Sequence, residues 1–235
     1  MKTIGLLGGM SWQSTSSYYQ AINQGINDQL GGLHSAKILL SSVDFAEIEK
    51  RQRLGRWDEM AVILAAEAKR LESAGAQCLL ICTNTMHKVA NEIEAELAIP
   101  LLHIVDATAQ QLMQDDIAKV GLLGTRFTMQ EDFYKQRLSE RFLIEVLVPS
   151  QQQQTAIDRI IFDELCHGIT LSASREVYLQ AIDALFAQGA QAIILGCTEI
   201  ALLVNASHTQ IPLYDTTELH AKSAVRYALE HPLQG

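Results

Sequence analysis

The chain has 235 residues, 48% of them hydrophobic and 19% charged, an ordinary globular composition with length enough to bury a core. Its 18 Lys and Arg against 27 Asp and Glu leave a net charge of −9 with no basic block, which excludes nucleic acid and anionic membrane as favoured partners. The apolar run in "MKTIGLLGGM" falls short of the roughly 7–15 residues of a signal-peptide core, and no stretch approaches the ~20 of a membrane span, so a soluble, cytoplasmic protein is expected.

Taken in chain order, "TIGLL" (3–7), "AKILLSSV" (36–43), "QCLLIC" (77–82), "LLHIV" (101–105), "KVGLL" (119–123), "LIEVLV" (143–148) and "QAIILG" (191–196) read as strands. Between them, 58–74 and 172–188 carry apolar residues at helical spacing. The alternation predicts an α/β fold with mainly parallel sheet. Cysteines stand at 78, 82, 166 and 197. Without a secretory leader their expected state is reduced, and no second Cys/His pair follows 78 and 82 at zinc-ribbon spacing, so no metal is expected. Cys78, inside an apolar strand, reads as a small core residue.

The two halves repeat. "IGLLGG" at 4–9 returns as "VGLLGT" at 120–125, "AGAQCLLICTNT" at 74–85 as "QGAQAIILGCTE" at 188–199, and "IPL" at 99–101 at 211–213, with offsets of 116, 114 and 112. Three matches in one order, with a slow drift, indicate a duplicated βα arrangement. Pairing Gly75 with Gly189 sets Thr83 opposite Cys197, Asn84 opposite Thr198 and Thr85 opposite Glu199, and leaves Cys82 opposite Gly196. Neighbouring side chains of a strand point to opposite faces, so Cys82 and Thr83 are not expected to face one cleft.

Polar residues at the carboxyl end of a parallel strand lie where α/β sheets bind ligands, and the turn that follows offers backbone N–H groups to an anion. Thr83, Asn84 and Thr85 in one half, and Cys197, Thr198 and Glu199 in the other, are therefore predicted to flank a small anionic molecule in a pseudo-symmetric cleft. Two proton carriers on opposite faces of a carbon suit stereoinversion. A thiol suits that role because its pKa of about 8.5 can be lowered by a helix N-terminus or a cation.

The segments "GLLGGMSWQST" (5–15), "SVDF" (42–45), "CTNTMH" (82–87), "GLLGTRFTM" (121–129) and "LGCTEI" (195–200) resemble the aspartate/glutamate racemase family of cofactor-independent amino acid racemases along essentially the whole chain, nearest its enterobacterial broad-specificity branch. The resemblance implies two similar α/β domains with the active site in the cleft between them, no pyridoxal phosphate or other cofactor, an amino acid substrate and a homodimer. It also implies two catalytic cysteines, of which Cys197 matches the second. Thr83 stands at the first, with Cys82 one step early. A threonine hydroxyl is a far weaker acid than a thiol, so proton abstraction by Cys197 is expected to outpace the reverse reaction from Thr83.

A second departure is Cys166 in "IIFDELCHG" (160–168), where dicarboxylate-specific relatives carry lysine. Its loss widens the expected substrates from aspartate and glutamate to a small polar amino acid such as homoserine, with Gln52 or Arg53 as contacts for the distal group. Met10 and Ser11 at the first Gly-rich turn, and Thr125 at its repeat, are further candidate substrate contacts. Glu199 reads either as a partner that orients Cys197 or as a favourable residue at a helix start, His87 and the two tryptophans as structural, and "QQQQ" (151–154) as an exposed loop or helix start.

The expected domains are 1–104 with 212–235, the C-terminal helix returning, and 105–211. Competing functions are a single-thiol decarboxylase or isomerase of small dicarboxylates, and a non-catalytic amino-acid-binding protein.

Overall fold

The computed structural model of the chain describes residues 1–230. The segment 231–235, assigned from sequence to the first domain, lies outside the described residues. The chain divides into two compact units: Met1–Ile104 with the segment from His220, and Val105–Leu219. The sequence placed 212–219 with the first unit. Those residues carry a strand on the second unit's sheet, and the return begins at His220.

In the first unit the order is β1 (Ile4–Gly8), α1 (Trp12–Leu30), β2 (Ile38–Ser42), α2 (Phe45–Arg53), α3 (Trp57–Ser73), β3 (Cys78–Ile81), a 3-10 turn (Thr85–Val89) and α4 (Ala90–Ala95). The second unit takes up α5 (Ile104–Gln114), β4 (Lys119–Gly124), α6 (Arg126–Gln130), α7 (Asp132–Phe142), β5 (Glu145–Leu147) and α8 (Gln151–Asp163). It continues with a 3-10 turn (Leu165–His167), α9 (Ser172–Ala187), β6 (Ala192–Gly196), α10 (Ile200–Leu203) and β7 (Leu213–Asp215), and α11 (Thr216–Leu229) follows.

Both sheets are parallel throughout, in the orders β2-β1-β3 and β5-β4-β6-β7. β1, β3 and β6 are buried along their whole length, as expected of strands covered on both faces. On one face of the first sheet Leu7, Leu79 and Ile81 pack on α2, α3 and α4. On the other, Ile4, Leu6, Cys78, Leu80 and Cys82 pack on Tyr18, Ile22 and Ile26 of α1 and on Ala221, Ala224 and Val225 of α11. Period-2 alternation therefore divides β3 between two cores, with Cys78, and Cys82 just beyond the strand, in the α1/α11 layer.

The duplication is visible in the ladders. Ile4 pairs with Cys78 and Val120 with Ala192; Leu7 pairs with Ile81 and Leu123 with Leu195. The "IPL" repeat also superimposes in role, because Leu79 bridges Leu101 as Ile193 pairs with Leu213. Only that bridge survives of the strand expected at 101–105, since α5 begins at Ile104. The "QQQQ" run forms the first turn of α8, where Ser150 and Gln153 make a reciprocal capping box. Trp12, expected to pack, is 67% exposed at the head of α1.

Candidate active site

The turns after β1 and β3 share the carboxyl edge of the first sheet, as those after β4 and β6 share that of the second. After β1 the chain must reverse within three residues. Gly9 takes φ +92°, and a Cβ there would lie 2.3 Å from the Val43 carbonyl oxygen. Only glycine fits. Ser11 then caps α1, its hydroxyl accepting the Ser14 N–H at 3.2 Å, while Gly9 N–H donates to Thr15 Oγ1 at 2.8 Å. Ser14 Oγ donates to the Cys82 carbonyl at 2.8 Å and ties this turn to the end of β3. Met10 is buried in the α2/α3 core layer. In the second unit Thr125, matched to Gly9 by the repeat, caps α6 by accepting the Thr128 N–H at 3.3 Å.

The register after β3 sets Cys82 and Thr83 apart. Two residues beyond the paired Leu7–Ile81 and Leu123–Leu195 lie Thr83 and Cys197, so these two occupy equivalent positions. Both are half-buried, whereas Cys82 is fully enclosed in the α1/α11 layer and burial pushes its thiol well up. Cys78 is enclosed in the same layer, its thiol pushed up to about 12 by burial. Asn84 and Thr85 are buried in the turn that follows.

Cys197 begins the turn after β6, and its Sγ donates to Oε2 of Glu199 at 3.1 Å. Glu199 is 4% exposed and makes no side-chain cap on α10, which favours its reading as the partner of Cys197 over that of a helix-start residue. Loss of water pushes the Cys197 thiol well above its ordinary pKa; the Glu199 charge and hydrogen bond add to this, and a backbone hydrogen bond from Glu199 opposes them. No helix N-terminus offsets this rise. α10 has only four residues, too few for a sizeable dipole, and the adjacent charge is an anion.

Cys166 packs at the edge of the same core cluster as Cys197. Burial, with the Glu199 charge, pushes its thiol up to about 12. Its proximity to the Cys-Thr-Glu turn was not legible in the local sequence. Gln52 and Arg53 diverge at the end of α2: Gln52 is 4% exposed, while the Arg53 guanidinium lies in solvent and pairs with Glu49 at 2.6 Å. Thr198 is half-buried beside Cys197.

A second polar cluster lies in the first unit, built from residues far apart in sequence. His87, His103 and His220 are all buried, with the His87 ring 4.5 Å from His103 and 5.7 Å from His220. His87 is therefore not isolated. Sequence reasoning had no signal for this grouping beyond "CTNTMH" itself.

A thiol is thus hydrogen-bonded to a carboxylate at the carboxyl edge of a twice-built parallel α/β fold. The family model for Asp/Glu/hydantoin racemases matches residues 7–224. The chain belongs to that family and so to the isomerases. It is 25% identical to the broad specificity amino-acid racemase RacX of Bacillus subtilis, over 94% of this chain and 96% of that one. Among solved structures, a provisionally assigned Asp/Glu racemase from Yersinia pestis is 55% identical with a TM-score of 0.92, over 98% of this chain and all of that one. An aspartate racemase homologue from Pyrococcus horikoshii is 32% identical with a TM-score of 0.86, at the same coverage.

Proposed function

We propose that the chain inverts the α-carbon of an amino acid without a cofactor, Cys197 serving as the principal proton carrier and Thr83 as the carrier on the opposite face of the substrate. The observation that carries the reading is the Cys197–Glu199 hydrogen bond. It gives the thiol a built-in acceptor two residues away, inside a polar turn and not a sealed core. In the resting site the thiol keeps its proton. An arriving substrate ammonium adds a positive charge that offsets Glu199 and favours the thiolate.

The thiol passes its proton to Oε2 of Glu199, the thiolate takes the α-hydrogen as a proton, and the C–H electron pair moves into the carboxylate as an enediolate-like carbanion. Backbone N–H groups and hydroxyls of the turns at Met10, Ser11, Asn84, Thr85, Thr125 and Thr198 supply hydrogen bonds to that developing charge. On the Thr83 side the hydroxyl passes its proton to the α-carbon while a solvent molecule hands one to that oxygen, so the new C–H bond forms with inverted configuration and no alkoxide is left. Because the Thr83 hydroxyl is a weak acid and its conjugate base is inaccessible near neutrality, exchange of the α-hydrogen that starts from the Thr83 face is the slower one, while net inversion keeps equal kcat/KM in both directions because enantiomers are equal in free energy. Cys166 in place of a cation fits a small polar side chain such as homoserine's as well as aspartate or glutamate, with Gln52 or Arg53 toward its distal group. A homodimer in the cytoplasm belongs to the same reading; sedimentation and cell fractionation check it.

The test is a panel of L- and D-amino acids incubated in deuterated water with no added cofactor, read by chiral chromatography and mass. Inversion with one deuterium gained supports the proposal. Loss of carbon dioxide would mark a single-thiol decarboxylase instead, and binding with neither exchange nor inversion a non-catalytic receptor. A requirement for pyridoxal phosphate would overturn the mechanism.

A further inference from the structure

Two of the buried histidines, His87 and His220, have their protons fixed by their partners. Nδ1 of His87 lies 2.8 Å from the carbonyl oxygen of Thr83, and Nε2 lies 3.2 Å from the backbone nitrogen of Ile104. A carbonyl can only accept and an amide N–H can only donate, so His87 carries its proton on Nδ1 and presents a lone pair at Nε2. The same logic fixes His220 the other way round. Its Nε2 lies 2.6 Å from the Leu102 carbonyl and so carries the proton, and its Nδ1 accepts from the Tyr18 hydroxyl at 2.8 Å.

The Thr83 loop is thereby fastened through one imidazole to the backbone of Ile104, and the neighbouring Leu102 is fastened through a second imidazole to α1. His103 stacks edge-on against His87 and closes the group. Burial, and then His103 and His220, hold His87 below its ordinary pKa, which keeps it neutral and preserves the acceptor that Ile104 needs.

We propose that His87 is a positioning residue for proton transfer on the Thr83 face, acting through the Thr83 carbonyl with Ile104 as its fixed anchor. This rests on the assignment of Thr83 as the opposite-face carrier. It goes beyond that assignment in naming the group that holds the hydroxyl in place. Thr83 has a short side chain on a turn, and a displacement of its backbone by a fraction of an ångström moves the hydroxyl by as much. Proton transfer is sensitive on that scale.

Two substitutions separate the two hydrogen bonds. In His87→Asn the amide nitrogen takes the place of Nδ1 and keeps the donor to Thr83; in His87→Gln the amide reaches the place of Nε2 and offers Ile104 an acceptor with nothing for Thr83. The full-length variants are assayed for Cα exchange in deuterated water from each pure enantiomer of a substrate found in the panel. Thr83→Ala identifies the direction that depends on Thr83. In that direction we expect His87→Gln to lose about 10-fold and His87→Asn to stay within about 3-fold of the parent, with the other direction changed by less than about 2-fold in both variants.

If Thr83→Ala depresses neither direction, the assignment of Thr83 falls and the positioning role with it. If Thr83→Ala depresses one direction while His87→Gln lowers both equally or neither, the positioning role alone falls. Should both variants fail to fold, long-range proton–nitrogen NMR on the unmodified protein still decides, since an Nε2–H or doubly protonated His87 at neutral pH overturns the proposal.

Discussion

Sγ of Cys197 stands 3.1 Å from Oε2 of Glu199, a carboxylate that is itself only 4% exposed. The pair has two effects of opposite sign. The carboxylate raises the thiol's pKa and so lowers resting thiolate, yet it is the nearest acceptor when the thiol must ionise. Glu199→Gln is therefore expected to speed alkylation of Cys197 by iodoacetamide near pH 8, because the thiolate is the reactive form and its opposing charge is gone. The same substitution should slow α-proton exchange by about 10²-fold. Peptide mapping separates Cys197 from Cys166. Slower or unchanged alkylation would mean that the charge does not govern the thiol.

Thr83 stands two residues beyond the Leu7–Ile81 pair, as Cys197 does beyond the Leu123–Leu195 pair. Cysteine there exchanges the hydroxyl for a thiol, which changes the acidity by many orders of magnitude, and drops one methyl group. Thr83→Cys is expected to raise exchange in the slower direction by about 10-fold or more and to bring the two directions closer together. Exchange measured separately from each enantiomer checks this, and a ratio left unchanged would show that Thr83 is not at the reacting face.

The parts of this arrangement that the sequence discloses are those set by local pattern. β1, β3, β4 and β6 are apolar runs because both sheet faces are covered, and the repeat of 74–85 at 188–199 fixes Thr83 rather than Cys82 as the counterpart of Cys197 without any coordinates. What it hides depends on distance and direction. "LLHIV" has strand composition, yet only the Leu101 bridge is strand-like and the helix starting at Ile104 claims its last two residues. The direction in which the Cys197 thiol shifts is one such feature, set by a following helix only one turn long and by Glu199 folding back onto the sulfur. Cys166, and the grouping of His87 with His103 and His220, come together only through tertiary packing.

The Gly-rich turn after β1 offers a test of the scaffold. An alanine Cβ at Gly9 would meet both the Val43 carbonyl oxygen at 2.3 Å and its nitrogen at 2.6 Å, at φ +92°. Gly75 has φ +104° but open space where its Cβ would be. Gly9→Ala should cost about 2–4 kcal/mol, overpacking adding to backbone strain, and Gly75→Ala only the strain of about 1–2 kcal/mol. Urea midpoints at constant slope measure both. Since Met10 and Ser11 follow directly, Gly9→Ala should also depress turnover at temperatures where it remains folded. Equal losses at the two glycines would mean that the turn yields easily and does not hold those residues in place.

Burial of neutral His87 makes a distinct prediction about pH. In the unfolded chain the imidazole titrates near 6.5; in the folded protein loss of water, His103 and His220 depress it well below that value. Above about pH 6.5 both states are neutral and the group contributes its full stability. As pH falls below that, the unfolded chain binds a proton that the folded one refuses, so stability declines by about 1.4 kcal/mol per pH unit for this one group, until the folded pKa is passed. His87→Asn and His87→Gln remove the titration, whatever they cost at pH 8. The difference in unfolding free energy between parent and variant should therefore shrink steadily from pH 6.5 to pH 5. A difference that stays constant across that range would show that His87 takes up its proton in the folded state without resistance, breaking the acceptor bond to Ile104 at no cost.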